Sequence, residues 1–432
     1  MNKKRIILFI AILIVVVCIG CIAYNVFVKR NMERNELKYD ENETTYDVNV
    51  TLEVSFPDMI RSIAVHTEDQ LFTNTLEKAN KKFKEEDGDF LDFFVTTFNQ
   101  EKVVLGMDNA NLSTYFVANT GEGNETDDQI VRYIKTALDG IVDRSIKTLR
   151  TRMDYYGMRE FNFQRLPGGR ILVELKGVKE PLRAIHLLHF PGKLEIWEVY
   201  DDMVNDEYIQ QRFYQADVQL EKGHMTAEEY AEDNDDEDAF SGAIMRRAVS
   251  GSDGLVIGYF KEADIEYVNR LLPDLQRVLG DKNVVFYWGI TDKTKNNAMP
   301  LIPLKKSSDH IGPKLSSETI GGARVVRTAR QDVDQNQRVI VTVSMEKQAA
   351  DEWRRITRAA VEDKSKLTYI AIVLDDFIYS YPCIRGEIKN GNLEISGNFT
   401  IEEAKDLAIA LNSGSLDVRL NVMKSEAVEH AK

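Results

Sequence analysis

The segment from Thr368 to Leu420 constrains the fold most, because two strands, a turn and a helix follow one another there with almost no slack. It reads TYIAIVLDDFIYSYPCIRGEIKNGNLEISGNFTIEEAKDLAIALNSGSLDVRL. Ile370 to Leu374 is an unbroken apolar run, the pattern of a strand buried on both faces. Asp375 and Asp376 end it, and a second strand from Phe377 to Tyr381 is stopped by Pro382, which has no N–H for a ladder. Asn390-Gly391 is a hairpin signal between 385–389 and 392–396. Thr400 followed by Glu403 is a capping box, so a helix starts there.

The rest of the chain supplies partners for these elements. Val48, Val50, Leu52 and Val54 alternate and predict a half-buried strand over 47–55. Helices are expected over 70–85 and 89–98. A long amphipathic helix is expected over 127–156, with Ile130, Ile134, Leu138, Ile141, Ile146, Leu149 and Met153 as its stripe and Gly157 as its C-cap. Residues 161–166 and 170–175 flank Pro167-Gly168-Gly169 as a hairpin. A short helix opens at Pro181, and 194–199 is another strand. Strand 338–343 and helix 346–361 come later. The order from 47 to 199 is β-α-β-β-α-β, the ferredoxin-like arrangement, within an α+β chain.

The chain is long enough, at 432 residues, for two or three folded units. From Ile6 to Val28 it is apolar except for Asn25, and 23 helical residues reach about 35 Å, enough to span a bilayer core. Lys3, Lys4 and Arg5 favour a cytoplasmic N-terminus. The alternative is lipidation, since Ile19-Gly20-Cys21 ends like a lipobox. Residues 29–45 read as a juxtamembrane linker. No other stretch has the length and apolarity of a span, which predicts a single-pass protein of the inner membrane with its C-terminal part periplasmic, or else a fragment. Beyond residue 30 there are 70 acidic against 50 basic residues, which argues against a nucleic-acid partner. Cys383 is alone in that part, so no disulfide is expected there.

No pattern specifies catalysis or a cofactor. Asp233, Asp235 and Asp238 lack the Gly and Glu of a calcium loop and read as a solvated charge run. His186 and His189 lack the further N or S ligand that zinc needs. Gly321-Gly322 lacks the Lys-Ser/Thr of a phosphate loop. Asp375-Asp376 could be paired carboxylates, but a turn between strands explains them more simply. The chain is therefore not expected to be an enzyme, and no metal or cofactor is expected.

Several ordered motifs resemble the periplasmic region of SecD, the membrane subunit that assists Sec-dependent export. Ile370–Asp375 and Tyr379–Pro382 resemble the family's IAIVLDG-x-V-x-S-x-P stretch, Ile395–Ala408 its ISG-x-F-T-x-EEA-x-x-L-A stretch, and Ser413–Leu416 the start of SGALP. Upstream, Thr148–Gly157 is similar to T-x-x-x-R-x-x-x-x-G, Arg170–Gly177 to R-x-x-VELPG, and Lys193–Val199 to L-E-F-W-x-V. Val50–Asp58 is similar to the first strand of the form typical of Bacteroides relatives. The resemblance implies a base over 46–200 with a helical insertion at 57–125, a head over 201–412, a closing base strand over 413–424 and a tail over 425–432. It also implies Sec translocon subunits and unfolded secretory polypeptides as partners, with Phe377, Tyr379, Tyr381 and Ile384 as head residues that could touch a passing chain. One motif is degenerate. The family's D-L-K-G-G falls on Glu43, Thr44, Thr45, Tyr46 and Asp47, so both glycines are lost, and Asp417 replaces the proline of SGALP. These changes lie where a SecD base meets the membrane and argue against coupling of base motion to the translocon, and without further spans an accessory that conducts no protons itself is expected. A periplasmic scaffold reusing the fold is the alternative.

Overall fold

The computed structural model describes residues 44–67, 69–86, 88–116, 125–200, 209–224, 242–251, 254–280, 283–306, 312–316, 324–362 and 367–429. The expected anchor from Ile6 to Val28, Glu43, the acidic run 232–238 and Gly321-Gly322 lie outside the described residues. Among the described residues no helix is long and apolar enough to cross a membrane.

The elements in chain order are β1 (Tyr46–Val54), α1 (Phe56–Ile63), α2 (Gln70–Glu85), α3 (Phe90–Val104), α4 (Asp127–Tyr156), β2 (Phe161–Leu166), β3 (Arg170–Val178), α5 (Pro181–His189) and β4 (Leu194–Val199). There follow α6 (Ile209–His224), β5 (Ala248–Ser250), β6 (Gly258–Phe260), α7 (Ile265–Leu279), β7 (Val284–Gly289), β8 (Met299–Lys305), β9 (Val326–Val333), β10 (Val339–Met345) and α8 (Lys347–Glu362). The last are β11 (Ile370–Leu374), β12 (Phe377–Ser380), β13 (Asn392–Ser396), α9 (Ile401–Ser413) and β14 (Leu420–Glu429). The fold is α+β, and it divides into two compact units.

One unit takes residues 44–194, 326–346 and 398 onward. Its four-stranded sheet has the order β14-β1-β3-β2, and each neighbouring pair is antiparallel. Val48, Val50, Leu52 and Val54 are at most 1% exposed, because alternation puts all four on the face that meets the helices. The stripe of α4 is buried with them, apart from the half-buried Ile146, and Thr126 with Gln129 forms a capping box at its start. Gly157 ends that helix with φ 90°, a left-handed C-cap. Helices α1 to α3 carry a dense aromatic cluster, in which Phe56 stacks on Phe90 at 5.0 Å and Phe72 meets Phe94 edge-on at 6.2 Å. The β9–β10 hairpin also belongs here. Its outer edge is met by Asn412 of α9, whose Oδ1 accepts from the Ala329 N–H at 2.8 Å while its Nδ2 donates to the Ala329 carbonyl at 2.7 Å.

The other unit includes 195–325 and 347–397. Its strands run β4-β11-β12-β7-β8-β6-β5, and β8 also pairs with β4 through Glu198–Lys305 and Val199–Leu304. That extra pairing closes five of the strands into a ring. Closure explains why β11 is buried at every position and reads as a continuous apolar run. Trp197, Val199, Ile302, Leu304, Ala371, Val373 and Ile378 share one buried cluster. Strand β12 is parallel to β7, and on the other side of β7 a Cβ on Gly289 would stand 2.6 Å from Pro300 of β8, so only glycine permits the approach of β7 and β8 there.

Three local readings change. The strand at 194–199 forms as expected, but it joins the ring and not the four-stranded sheet. The strand that closes the four-stranded sheet is Leu420–Glu429, later than 413–424, because β1 offers partners as far as Tyr46, which faces Glu429. Residues 385–389 form no strand, since side chains of α8 engage their backbone and carboxylate groups, as described below.

Candidate functional site

The β11–β12 hairpin turns at Asp375 and Asp376, whose φ angles are 51° and 71°, while Leu374 pairs with Phe377. Two positive φ values in a two-residue loop define a type I′ turn, the geometry that matches strand twist. The two aspartates are therefore turn residues, and the strand period carries outward from them. Phe377 is 41% exposed, Ile378 is 1% exposed and Tyr379 is half-buried. The turn thus presents one aromatic ring to solvent while its neighbour fills the buried cluster.

The other two expected contact residues lie deeper. Tyr381 is half-buried and packs against the ring cluster. Ile384 is 8% exposed, and its N–H donates to the Thr368 carbonyl at 2.9 Å. Pro382 is exposed, and its carbonyl accepts from the Ile370 N–H at 3.1 Å, so the pairing outlasts the last residue of β12. Ile378 pairs with Val373 but Ser380 with Ile372, so Tyr379 is an extra, bulged residue of β12, while Tyr381 follows the strand and Ile384 is buried beyond it.

That loop is fixed by α8, a feature that composition alone does not reveal. Glu387 Oε1 accepts from Arg354 Nε at 2.5 Å and from Arg358 Nη2 at 3.0 Å. The two guanidiniums hold the Glu387 carboxyl down at about 2. The Ile388 N–H donates to Thr357 Oγ1 at 3.0 Å, and Trp353 Nε1 donates to the Asn392 carbonyl at 3.2 Å. Arg354 and Arg358 are one helical turn apart, and that spacing was the available signal.

In the same unit, α6 meets the return of the chain at Gly242. Asp217 is fully buried and accepts the N–H groups of Ile244 and Met245, both at 2.8 Å. Burial pushes its carboxyl up to about 6 against those hydrogen bonds, with the nearby Glu221 adding to the rise.

Tyr46, Asp47 and Asp417, three of the four residues expected to form a degenerate motif near the membrane, have local partners in the first unit. Tyr46 sits in β1 between Val178 and Glu429. Asp47 Oδ1 accepts from the Gly177 N–H at 3.3 Å, where a register shift bulges β3. Asp417 Oδ2 accepts from Arg144 Nε at 2.6 Å. Two of the sequence motifs meet nearby. Arg152, the arginine of the Thr148–Gly157 stretch, is fully buried. It donates to Ser413 Oγ at 3.0 Å, to the Leu187 carbonyl at 2.9 Å, to the Gly414 carbonyl at 3.1 Å and to the Phe190 carbonyl. One guanidinium thus joins the C-terminal ends of α5 and α9, where carbonyls lack helical partners. His186 and His189 lie on α5 with ring centroids 5.6 Å apart, and among the described residues no group of three or more His, Cys, Asp or Glu could hold a metal.

Residues 308–418 match the SecDF P1 head subdomain, and residues 142–201 match the N-terminal part of the P1 domain of protein translocase subunit SecDF. Protein translocase subunit SecD of Rhodothermus marinus is 28% identical over 401 residues, covering 88% of this chain and 61% of that protein. SecD of Calditerrivibrio nitroreducens is 24% identical over 295 residues, covering 68% and 42%. SecD of Rickettsia conorii is 31% identical over a shorter stretch of 114 residues, covering 26% and 21%. Over these stretches the chain is similar to the SecD family. It spans 61% or less of the length of these relatives. Among solved structures, SecDF in a super-membrane-facing form aligns with a TM-score of 0.38 at 20% identity, covering 67% of this chain and 28% of that one. A SecDF described as a membrane component that enhances protein export aligns with 0.37 at 21%, covering 66% and 92%.

Proposed function

We propose that this chain is a membrane-anchored, periplasmic accessory of Sec-dependent protein export that touches translocating polypeptides without catalysing a reaction. The match of residues 308–418 to the SecDF P1 head carries this reading, because it covers the hairpin and loop that bear the candidate contacts. The antiparallel order β14-β1-β3-β2 supports a ferredoxin-like base, with the ring of strands as the core of the head. The apolar segment from Ile6 to Val28 would hold the protein at the inner membrane with its folded part outside.

The head would meet an unfolded chain at the β11–β12 turn. Phe377 is the exposed anchor, Tyr379 is the half-buried bulged residue two positions on, and the Glu387–Arg354–Arg358 group keeps the adjoining loop in place. Tyr381 and Ile384 would support that surface from beneath. A rigid aromatic on a turn gives apolar contact with little sequence preference, as a carrier of many clients needs. At the membrane-proximal end, Asp47 and Asp417 serve local hydrogen bonds, and this supports a base whose coupling to translocon motion is altered.

The test is photo-crosslinking in intact cells from a benzophenone amino acid at position 377, with mass spectrometry of the adducts. Adducts to many secreted precursors and to Sec channel subunits are expected. A single unrelated envelope protein, or no adduct, would sink the export role and leave a scaffold on the same fold.

A further inference from the structure

The strand that closes the four-stranded sheet is itself an edge. Among the described residues β14 pairs on one side with β1 and has no strand on the other. It runs for ten residues, and from Met423 to Glu429 every position is exposed, with Met423 at 54% and Val428 at 61%. A long open edge with apolar side chains is a template for another strand. Something has to either cover it or prevent its pairing.

We propose that β14 pairs antiparallel with β14 of a second copy of this chain, about a two-fold axis that sets Ser425 against itself. The charges select that register. Thr51 pairs with Lys424 and Asn49 with Glu426, so Lys424 and Glu426 share the outer face of the sheet, where Lys424 Nζ lies 2.7 Å from Glu426 Oε1. A two-fold axis normal to the sheet must set one residue opposite its own copy. Centred on Lys424 or on Glu426, it stacks like charges, which destabilises a cross-strand pair. Centred on Ala427, it leaves Glu426 against Val428. Centred on Ser425, it puts Lys424 of each copy against Glu426 of the other, giving a square of alternating charge. The two sheets then become one sheet of eight strands.

The pairing is short. Thr51 faces Lys424 while Leu52 faces Val422, so Met423 is an extra, bulged residue that ends the regular edge on one side. A strand pair of this length buries far less than the roughly 1,200 Å² of a stable complex. The contact is therefore weak in dilute solution and needs a covalent trap to be seen. Residues facing each other across antiparallel strands have Cα atoms about 4.5–5.5 Å apart, within the range of about 4.4–6.8 Å that a disulfide spans.

The experiment uses the full chain in membrane vesicles with Cys18→Ala, Cys21→Ala and Cys383→Ser as background. In that background Ser425→Cys should form a disulfide-linked dimer on mild oxidation. Glu429→Cys should not, because its own copy lies about 27 Å away in this register, eight residues along the strand. Lys424→Glu added to Ser425→Cys should lower the dimer yield about tenfold, and adding Glu426→Lys should restore it, because the reversed square is again complementary. Equal crosslinking at 425 and 429, a maximum at another position, or a charge reversal without effect would overturn the proposal. Circular dichroism of each variant checks folding, and all four substituted positions of β14 are exposed.

Discussion

Arg152 in one unit and Glu387 in the other do the same job in opposite surroundings. Each is a charged side chain that gathers a turn of chain onto a helix. Arg152 is fully buried and collects carbonyls at the ends of α5 and α9. The Glu387 side chain is about one-fifth exposed, and its partners Arg354 and Arg358 are 43% and 50% exposed. Water can replace what Glu387 offers, whereas Arg152 itself is shut off from solvent and its bonds to the Leu187 carbonyl and Ser413 are buried with it. The comparison teaches that burial, more than the number of hydrogen bonds, sets what such a hub is worth.

Arg152→Met therefore breaks the comparison from its strong side. It strands the buried Leu187 carbonyl and Ser413 hydroxyl and removes the partner of the part-buried Phe190 and Gly414 carbonyls, so it should destabilise the unit by about 3–5 kcal/mol, read as a lower urea midpoint. Arg152→Lys keeps the charge but cannot fork to Leu187 and Gly414 together, so it should recover only part of the loss. If Arg152→Met unfolds at the parent midpoint, burial is not what makes this hub strong.

The next effect is smaller and has two opposite signs. Asp217 titrates near 6 in the folded protein, above its ordinary value near 3.8. The folded state then holds the proton more tightly, so this group adds stability as pH falls from about 6 to about 4. Glu387 is held at about 2, below its ordinary 4.5, so its contribution is present above about pH 4.5 and is lost as pH falls toward 2. Asp217→Asn should flatten the stability profile between pH 6 and 4, and Glu387→Gln should flatten it below 4.5. Amide exchange at Ile388 and Asn392 should quicken in Glu387→Gln alone, since only that loop loses its clamp. If the two variants change the same pH window, the separation of buried from screened charge fails.

The two units also differ in how much of them could be read in advance. In the four-stranded sheet one face is wet, so Val48, Val50, Leu52 and Val54 announce both strand and register. The capping boxes at Thr126 and Thr400 fix helix starts for the same local reason, and the Thr400 box is present as read. In the ring of strands both faces are dry, so β4 and β11 read as strands but nothing in them names a neighbour. The strand at 194–199 was grouped with the nearest elements in sequence, while its ladder partner β8 lies about a hundred residues later. At the candidate site the alternation of Phe377 and Ile378 was legible. That Ile384 is core and that 385–389 is clamped was not, because Glu387, Arg354 and Arg358 become one group only when α8 is docked.

The smallest effect concerns the turns that end the hairpins of the two units. Gly168 and Gly169 take φ angles of 71° and 66°, while Asp375 and Asp376 take 51° and 71° in the I′ turn. A Cβ on Gly169 would stand 2.6 Å from Val54, so glycine is needed there for space as well as for angle. Asp376 takes the same left-handed region, which aspartate tolerates at a modest cost. Asp376→Gly should raise stability by about 0.5 kcal/mol in urea unfolding, since the second position of a type I′ turn favours glycine. Gly169→Asp should lower it by more than that gain, because it adds a clash to the strain. If Asp376→Gly destabilises instead, the Asp376 side chain is itself holding the turn, and the exposed position of Phe377 beside it depends on that carboxylate and not on backbone geometry alone.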